Sequence, residues 1–266
     1  MSHRRRHALR AVVLAALLAA PLAAAADELQ VFAAGAVQSI AQETAAGFER
    51  ETGHRLRFVF GTVGALRNRI VAGEAADVAM LSAAALAELD RAGLTAPAPR
   101  SVIGTIGSGI AIRAGAPVPR IATPDELRET LLAARSISYG DPARGATSGL
   151  HFAGVLERLG IAEQLRARTV LVPFGVEAIQ RVAAGESELA VSQASEILAN
   201  PGVRLAGPLP PALQNATTYA AAALARRAPA DRGADVAAAP AAAYVRYLAT
   251  PAAVARFRAL GFAAPE

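Results

Sequence analysis

LQVFAAGAVQSIAQETAAGFERETGHRLRFVFGTVGALRNRIVAGEAADVAML, residues 29–81, is the stretch that decides the fold. Its runs LQVFAA and LRFVF have the length and composition of β-strands, and DVAMLS at residues 77–82 is a third. After the first strand, one helical face is formed by Val37, Ile40, Ala41, Thr44, Ala45 and Phe48, and Gly53 ends that helix. A second helix follows from Ala65. This alternation predicts an α/β protein whose strands are mainly parallel.

Two loops of small residues, 33–36 and 61–64, stand at the carboxyl ends of the first two predicted strands. In a parallel sheet, this is the edge at which ligands bind. Each loop also opens a helix whose first backbone N–H groups lack partners inside the helix. Such helix ends bind anions without a charged side chain. We therefore expect a small anion to be bound there.

Residues 1–26 have the pattern of a secretory signal peptide. A basic segment, MSHRRRHALR, precedes the apolar run AVVLAALLAAPL, which is too short to span a membrane, and Ala24, Ala25 and Ala26 fit the cleavage rule. The alternative is a buried N-terminal helix. The expected mature chain starts at Asp27 and reaches the periplasm by the general secretory route. Four of the 27 basic residues lie in this segment, so the rest of the chain is nearly neutral and no nucleic-acid partner is expected.

The composition excludes several kinds of catalytic site. There is no cysteine, and every basic residue is arginine, so thiol, zinc-thiolate and Schiff-base lysine chemistry are ruled out. A GC-rich genome would equally explain the lack of lysine. Only His54 and His151 remain after the signal segment, and no GxSxG motif occurs. We therefore expect a protein that is not an enzyme and that holds no metal and no cofactor.

The remaining sequence predicts a second α/β unit. SISYGD, TVLVPF and ELAVSQ are its strands, with helices after Thr123 and over LHFAGVLERLG and VEAIQRVAAG. PGVRLAGPLPPAL, residues 201–213, is interpreted as a turn region, and residues 225–239 as a surface linker or an irregular helix. NATTYAAAALA returns as a strand, and Pro251 begins a final helix. The predicted lobes are residues 27–105 plus 218–266 and residues 106–217, with crossings near residues 103–108 and 215–219.

At this point the chain resembles a known family. FAAGA, FGTVGALRNRI, SYGDPARGATSG, GESELAVSQASEI and TPAAVARFRALGF, in this order over residues 29–262, are similar to periplasmic solute-binding proteins of the molybdate-binding type. The resemblance implies a two-lobed periplasmic binding protein fold of type II, with each lobe a sheet flanked by helices and the ligand in the cleft. It further implies a monomer that serves an ABC importer and docks on a membrane permease.

The resemblance also implies the binding positions. In the first loop, Ala36 holds the place of a serine, so only its backbone N–H is available. In the second loop, Thr62 keeps a hydroxyl, while Val63 holds the usual donor position. These two replacements remove hydroxyl donors that the family uses for an oxyanion.

Four further residues come from the second unit. Thr147 and Ser148 stand where a small residue offers its N–H group, and Val176 matches a backbone donor. The family's tyrosine near the hinge corresponds best to Gln193, with Ser192 as the neighbouring choice. With these donors, the resemblance implies molybdate or tungstate as the ligand.

Each assignment has an alternative. Thr62, Thr147 and Ser148 could only cap helices, and Gln193 could be a buried polar residue. Arg144 could face the cleft and bind an organic carboxylate through a bidentate pair, or it could be a solvated surface charge. The expected function is thus an anion receptor for import, and the alternative is a receptor for a small organic carboxylate with the same fold.

Overall fold

The computed structural model describes residues 27–98, 100–225 and 234–264, apart from the side chains of residues 234–238. The predicted signal segment lies outside these residues. The strands are β1 (Glu28–Ala34), β2 (Arg55–Gly61), β3 (Val78–Ser82), β4 (Ser101–Arg113), β5 (Ile137–Gly140), β6 (Thr169–Val172), β7 (Leu189–Gln193), β8 (Val203–Pro208) and β9 (Ala216–Ala223). The helices are α1 (Gln38–Thr52), α2 (Val63–Val71), α3 (Ala83–Arg91), α4 (Pro124–Ala133), α5 (Thr147–Arg158), α6 (Ala162–Leu165), α7 (Gly175–Ala184), α8 (Ala194–Leu198), α9 (Ala234–Tyr247) and α10 (Pro251–Ala259).

One long strand, β4, connects two halves of the sheet. The strand order is β2-β1-β3-β9-β4-β7-β5-β6, and β8 also pairs with β4. Residues 101–107 of β4 pair with β9, whereas its residues 108–113 pair with β7 and β8. The outer pairs β1–β2, β1–β3, β5–β6 and β5–β7 are parallel, and the pairs that involve β4 are antiparallel. Each half is therefore a parallel unit closed by antiparallel strands.

Each half of the sheet has its own hydrophobic core. The buried core of the first half draws on residues between Leu29 and Ile106 and between Tyr219 and Phe262. Two clusters between Ile110 and Leu213 pack on the second half. This distribution supports the predicted lobes, whose limits we retain as a proposal.

Local signals fix the helix ends, among them the predicted starts after Thr123 and Thr250 and the predicted stop at Gly53. The side chains of Thr62, Ser82, Thr123 and Thr250 each accept a backbone N–H of the first helical turn. Gly53 ends α1 in the left-handed conformation, with φ of 77°. No helix in the described ranges combines the length and the apolar run needed to cross a bilayer.

One interpretation of the second half of the chain needs correction, and another is only partly covered by the described residues. The interpretation of residues 201–213 as a turn region was wrong in part. Strand β8 forms within these residues and pairs with Gly109–Arg113 of β4. The glycines and prolines of this region are typical of turns, and a short strand that ends at Pro208 was therefore not predicted. Within residues 225–239, helix α9 begins at Ala234, and residues 226–233 lie outside the described part.

Gly104 provides a test of how β4 is held against the C-terminal segment. Its φ is +143°, and a Cβ atom there would lie 2.5 Å from the carbonyl oxygen of Ala263. We expect Gly104→Ala to lower the free energy of unfolding by about 1–3 kcal/mol, because both the backbone conformation and the close approach oppose a side chain. Urea titration measures this. Gly154→Ala in α5 is the control, since nothing lies within 4 Å of its Cβ position. Equal stabilities of the two variants would contradict the interpretation.

Candidate functional site

A cleft opens between the two halves of the sheet at the carboxyl ends of their parallel strands. Its cavity volume is about 20 Å³, and the surrounding space that includes open solvent at the mouth amounts to about 290 Å³. The first half lines it with residues 34–36 and 61–63, and the second half with residues 146–148, Phe174, Gly175, Gln193 and Glu196. Tyr219 of β9 completes the lining. This is the strand edge at which the sequence predicted a ligand.

Four helical N-termini meet at this cleft. The 3-10 turn Gly35–Val37 that leads into α1, and the first residues of α2, α5 and α7, all lie in or beside its lining. The residues before α5 and α7, Ala146 and Phe174, make no side-chain capping bond. First-turn N–H groups of these helices are therefore not occupied by cap side chains and can donate to a ligand.

The charge of the lining is unusual for an anion site. Every basic residue of the chain is arginine, and none of the lining residues is basic. Its two ionisable side chains are Glu196 and Tyr219. Attraction for an anion would therefore come from oriented backbone dipoles and hydroxyl groups.

Direct contacts hold the two halves together around the cleft. The Gly64 N–H donates to the Gly145 carbonyl at 3.2 Å, and the Thr62 hydroxyl donates to the Arg144 carbonyl. The Ser195 hydroxyl donates to the Ala36 carbonyl at 2.7 Å. Each of these bonds joins a residue of the first half of the sheet to a residue of the second half. Because the two halves are in direct contact, the cleft between them is in a closed form.

Six of the eight predicted site residues line the cleft: Ala36, Thr62, Val63, Thr147, Ser148 and Gln193. Val176 lies just beside it, with its Cγ2 atom 3.8 Å from the position a Cβ would take on Gly35. Arg144 is exposed and does not line the cleft, although its carbonyl takes part in the closure.

The hydroxyl groups differ in what they can offer. Thr62 Oγ1 accepts the Ala65 N–H at 3.0 Å while it donates to Arg144, so its proton is already engaged. Thr147 and Ser148 do not cap their helix, because they lie inside its first turn. Thr147 is hydrogen-bonded to Tyr219. Ser148 is buried, and among the described residues its hydroxyl has no hydrogen-bond partner. This hydroxyl can therefore donate to a ligand.

Gln193 lines the cleft, is buried and keeps one side-chain atom without a hydrogen-bond partner. Its Nε2 donates to the Tyr219 hydroxyl at 3.4 Å, and its Oε1 has no hydrogen-bond partner. Burial and the nearby Glu196 raise the pKa of Tyr219. Tyr219 therefore stays a neutral hydroxyl, a side chain that the sequence placed at the crossing but not in the site.

Glu196 is the most important residue that the sequence interpretation did not name. Its Oε2 accepts the Ser192 hydroxyl and, at 3.3 Å, the Gln193 N–H. Burial is the main reason that its pKa is raised from 4.5 to about 7. The signal was the position of this glutamate three residues after Gln193, the spacing of a capping box at the start of α8.

Three other polar side chains, His151, Asp77 and Asp141, have structural partners. His151 Nε2 lies 2.7 Å from the Leu213 carbonyl oxygen, Asp77 accepts the Gln30 N–H at 2.9 Å, and Asp141 accepts the Ala143 N–H at 2.9 Å. Among the described residues, no cluster of histidines and carboxylates could hold a metal ion.

Comparisons with known proteins identify the family to which the chain belongs. Residues 29–263 match the family model described as bacterial extracellular solute-binding protein. A protein from Pseudomonas sp named aconitate isomerase is 33% identical over 222 residues, which cover 79% of this chain and 82% of that protein. Both observations concern nearly the whole described chain.

Two solved structures show the same fold. The periplasmic molybdate-binding protein of Azotobacter vinelandii has a TM-score of 0.71 at 24% identity, covering 90% of this chain and 100% of that one. The sulfate-binding protein SubI from Mycobacterium tuberculosis has a TM-score of 0.65 at 17% identity, covering 89% and 86%. The predicted type II periplasmic binding protein fold is thus confirmed.

The buried carboxyl predicts a pH-dependent stability. Because the folded-state pKa of Glu196 is raised to about 7, the stability associated with its neutral form is complete below about pH 4.5 and is lost as the pH rises through about 7. We expect Glu196→Gln to remove this dependence, which amounts to at most about 3 kcal/mol near pH 8. Urea unfolding at several pH values measures it. Glu177→Gln, outside the cleft lining, is the control, and identical profiles for wild type and Glu196→Gln would contradict the assignment.

Proposed function

We propose, from the premise that this chain belongs to the family of bacterial extracellular solute-binding proteins, that its cleft binds one small anion. The observation that carries the proposal is the meeting of four helical N-termini at a cleft whose lining contains no basic side chain. Fixed backbone N–H groups in a closed cleft stabilise a negative charge through their partial charges. The protein would act in the periplasm and deliver its ligand to the permease of an ABC importer.

A tetrahedral oxyanion such as molybdate or tungstate is the first candidate ligand. It needs several donors around a compact group, and the cleft supplies backbone groups near Ala36, Val63 and Val176 together with the Ser148 hydroxyl. The lining does not include Arg144, the side chain that would have favoured a bidentate carboxylate pair. The absence of hydroxyls at Ala36 and Val63 leaves selectivity among oxyanions to cavity size and donor count.

The donor assignment is tested by four variants titrated calorimetrically with molybdate, tungstate, sulfate, phosphate and small carboxylates. Ser148→Ala should weaken binding of the preferred oxyanion by about 10- to 150-fold, since a hydrogen bond to a charged ligand contributes about 1.5–3 kcal/mol. Arg144→Ala should change affinity little, because its exposed charge is screened.

Thr62→Val should also weaken binding, because it removes the hydrogen bond to the Arg144 carbonyl that holds the two halves together. Thr62→Ser keeps this hydroxyl and should bind the ligand as wild type does. A large loss in Arg144→Ala with Ser148→Ala near wild type would instead favour the organic carboxylate. Binding of a neutral sugar, with no anion bound, would refute the proposed function.

A second candidate is isomerisation of a small unsaturated tricarboxylate. Its support is the 33% identical relative named aconitate isomerase, together with a cleft carboxyl whose pKa of about 7 suits proton transfer. The Glu196 carboxylate would take a proton from the methylene carbon, the double bond would shift by one carbon, and the same carboxyl would return the proton to the other end. Helical N-termini would stabilise the negative charge formed between these steps.

The isomerase candidate is tested by incubating the purified chain with cis-aconitate in heavy water. If it holds, NMR should show the trans isomer forming with solvent deuterium at carbon, and Glu196→Gln should slow this by at least about 100-fold. Glu177→Gln should react like wild type. Binding of the tricarboxylate without any conversion would reject the enzymatic candidate and leave the receptor function in place.

A further inference from the structure

The cleft that is proposed to bind an anion also contains an acidic side chain, Glu196. Glu196 lines the cleft, is almost fully buried and has no basic residue beside it in the lining. Its Oε2 is occupied by the Ser192 hydroxyl and the Gln193 N–H. No hydrogen bond to Oε1 is found in the described part of the chain, so this oxygen is the one that a ligand can meet.

Oε1 faces the opposite wall of the cleft. A Cβ atom on Gly35 would lie 2.5 Å from Oε1, and a Cβ atom on Gly175 would lie 2.5 Å from Oε2. Gly35 and Gly175 each begin a helical segment. An anion held by those two N-termini therefore lies against the Glu196 carboxyl. Two negative oxygens in contact in a buried site repel each other unless one of them carries a proton.

We propose that Glu196 is a ligand-contacting carboxyl that makes this cleft bind its anion together with one proton, shared between Oε1 and an oxygen of the ligand. The inference rests on the proposed anion-binding function and adds a selectivity rule to it. A hydrogen phosphate brings its own proton and meets a charged carboxylate. Sulfate, molybdate or a fully ionised carboxylate brings none, so Glu196 itself takes up the proton from solvent.

Other charged groups near Glu196 do not supply this proton. The elements packed against α8 carry Glu43, Glu49, Arg50, Glu51, Arg113, Glu177, Arg181 and Arg204. Within the described residues, none of them forms an ion pair with Glu196, and Arg181 is paired with Glu186. Tyr219 is the other ionisable group of the lining, and its raised pKa keeps it neutral. The raised pKa of Glu196 is consistent with a proton that is exchanged near neutral pH.

The test counts protons by calorimetry near pH 8 in two buffers with different heats of ionisation. The probes are sulfate, molybdate, citrate and phosphate. Wild type should take up about one proton per sulfate, molybdate or citrate bound and close to none per phosphate, and its affinity for sulfate should fall about tenfold per pH unit above pH 7. Glu196→Gln should take up none, with affinities that do not follow this pH dependence.

Two variants keep the test independent of folding. Glu196→Asp retains a carboxyl and should retain the proton uptake, while Glu177→Gln removes a carboxyl outside the lining and should leave the number of protons taken up unchanged. If wild type accepts only phosphate, the Gln variant should gain sulfate binding, and failure to gain it overturns the inference. If wild type binds sulfate, molybdate or citrate without taking up a proton, the inference about Glu196 is overturned while the proposed anion-binding function stands. If no probe binds at all, the proposed function fails and the inference fails with it.

Discussion

Close approach of backbone and side chain across the cleft is the constraint on which this site depends. Gly35 and Gly175 leave the space in which the Glu196 carboxyl sits, because a Cβ on either would lie 2.5 Å from one of its oxygens. The backbones of Gly64 and Gly145 also approach each other closely, since a Cβ on Gly64 would lie 2.8 Å from the Gly145 Cα. Larger residues at these positions would hold the two walls apart, and the helical N-termini would no longer reach a common ligand.

The long strand β4 determines how the two walls can move. Its first part belongs to one half of the sheet and its second part to the other, with the change between Gly107 and Ser108. Gln214 braces this point: its Oε1 accepts the Ser108 N–H and its Nε2 donates to the Ser108 carbonyl. A change of backbone angles here would rotate the halves as bodies, because each half keeps its own core. Two lining residues of the cleft pair with β4 near this crossing, Gln193 with Ser108 and Tyr219 with Gly104.

The electrostatics of the cleft combine attraction and repulsion. Helix N-termini favour an anion, and a buried carboxyl disfavours one that brings no proton. Such a balance gives selectivity, because specificity is a difference between affinities and can come from penalising the wrong ligand. It is compatible with both functions proposed above, the binding of a small anion and the isomerisation of a tricarboxylate. A carboxyl that exchanges a proton near neutral pH suits either chemistry.

The sequence alone determined the order of the elements, the strand edge that carries the site and the small loops that form it. These features depend on signals between residues close in sequence, such as the hydrophobic period, the helix cap at Thr62 and the helix stop at Gly53. Only the tertiary structure decided how the polar groups are used. Thr62 reaches Arg144 across 82 residues of sequence, and Tyr219 enters the cleft from β9. Glu196 faces Gly35 from the other half of the sheet. These contacts depend on how closely the two halves approach each other, which no local pattern records.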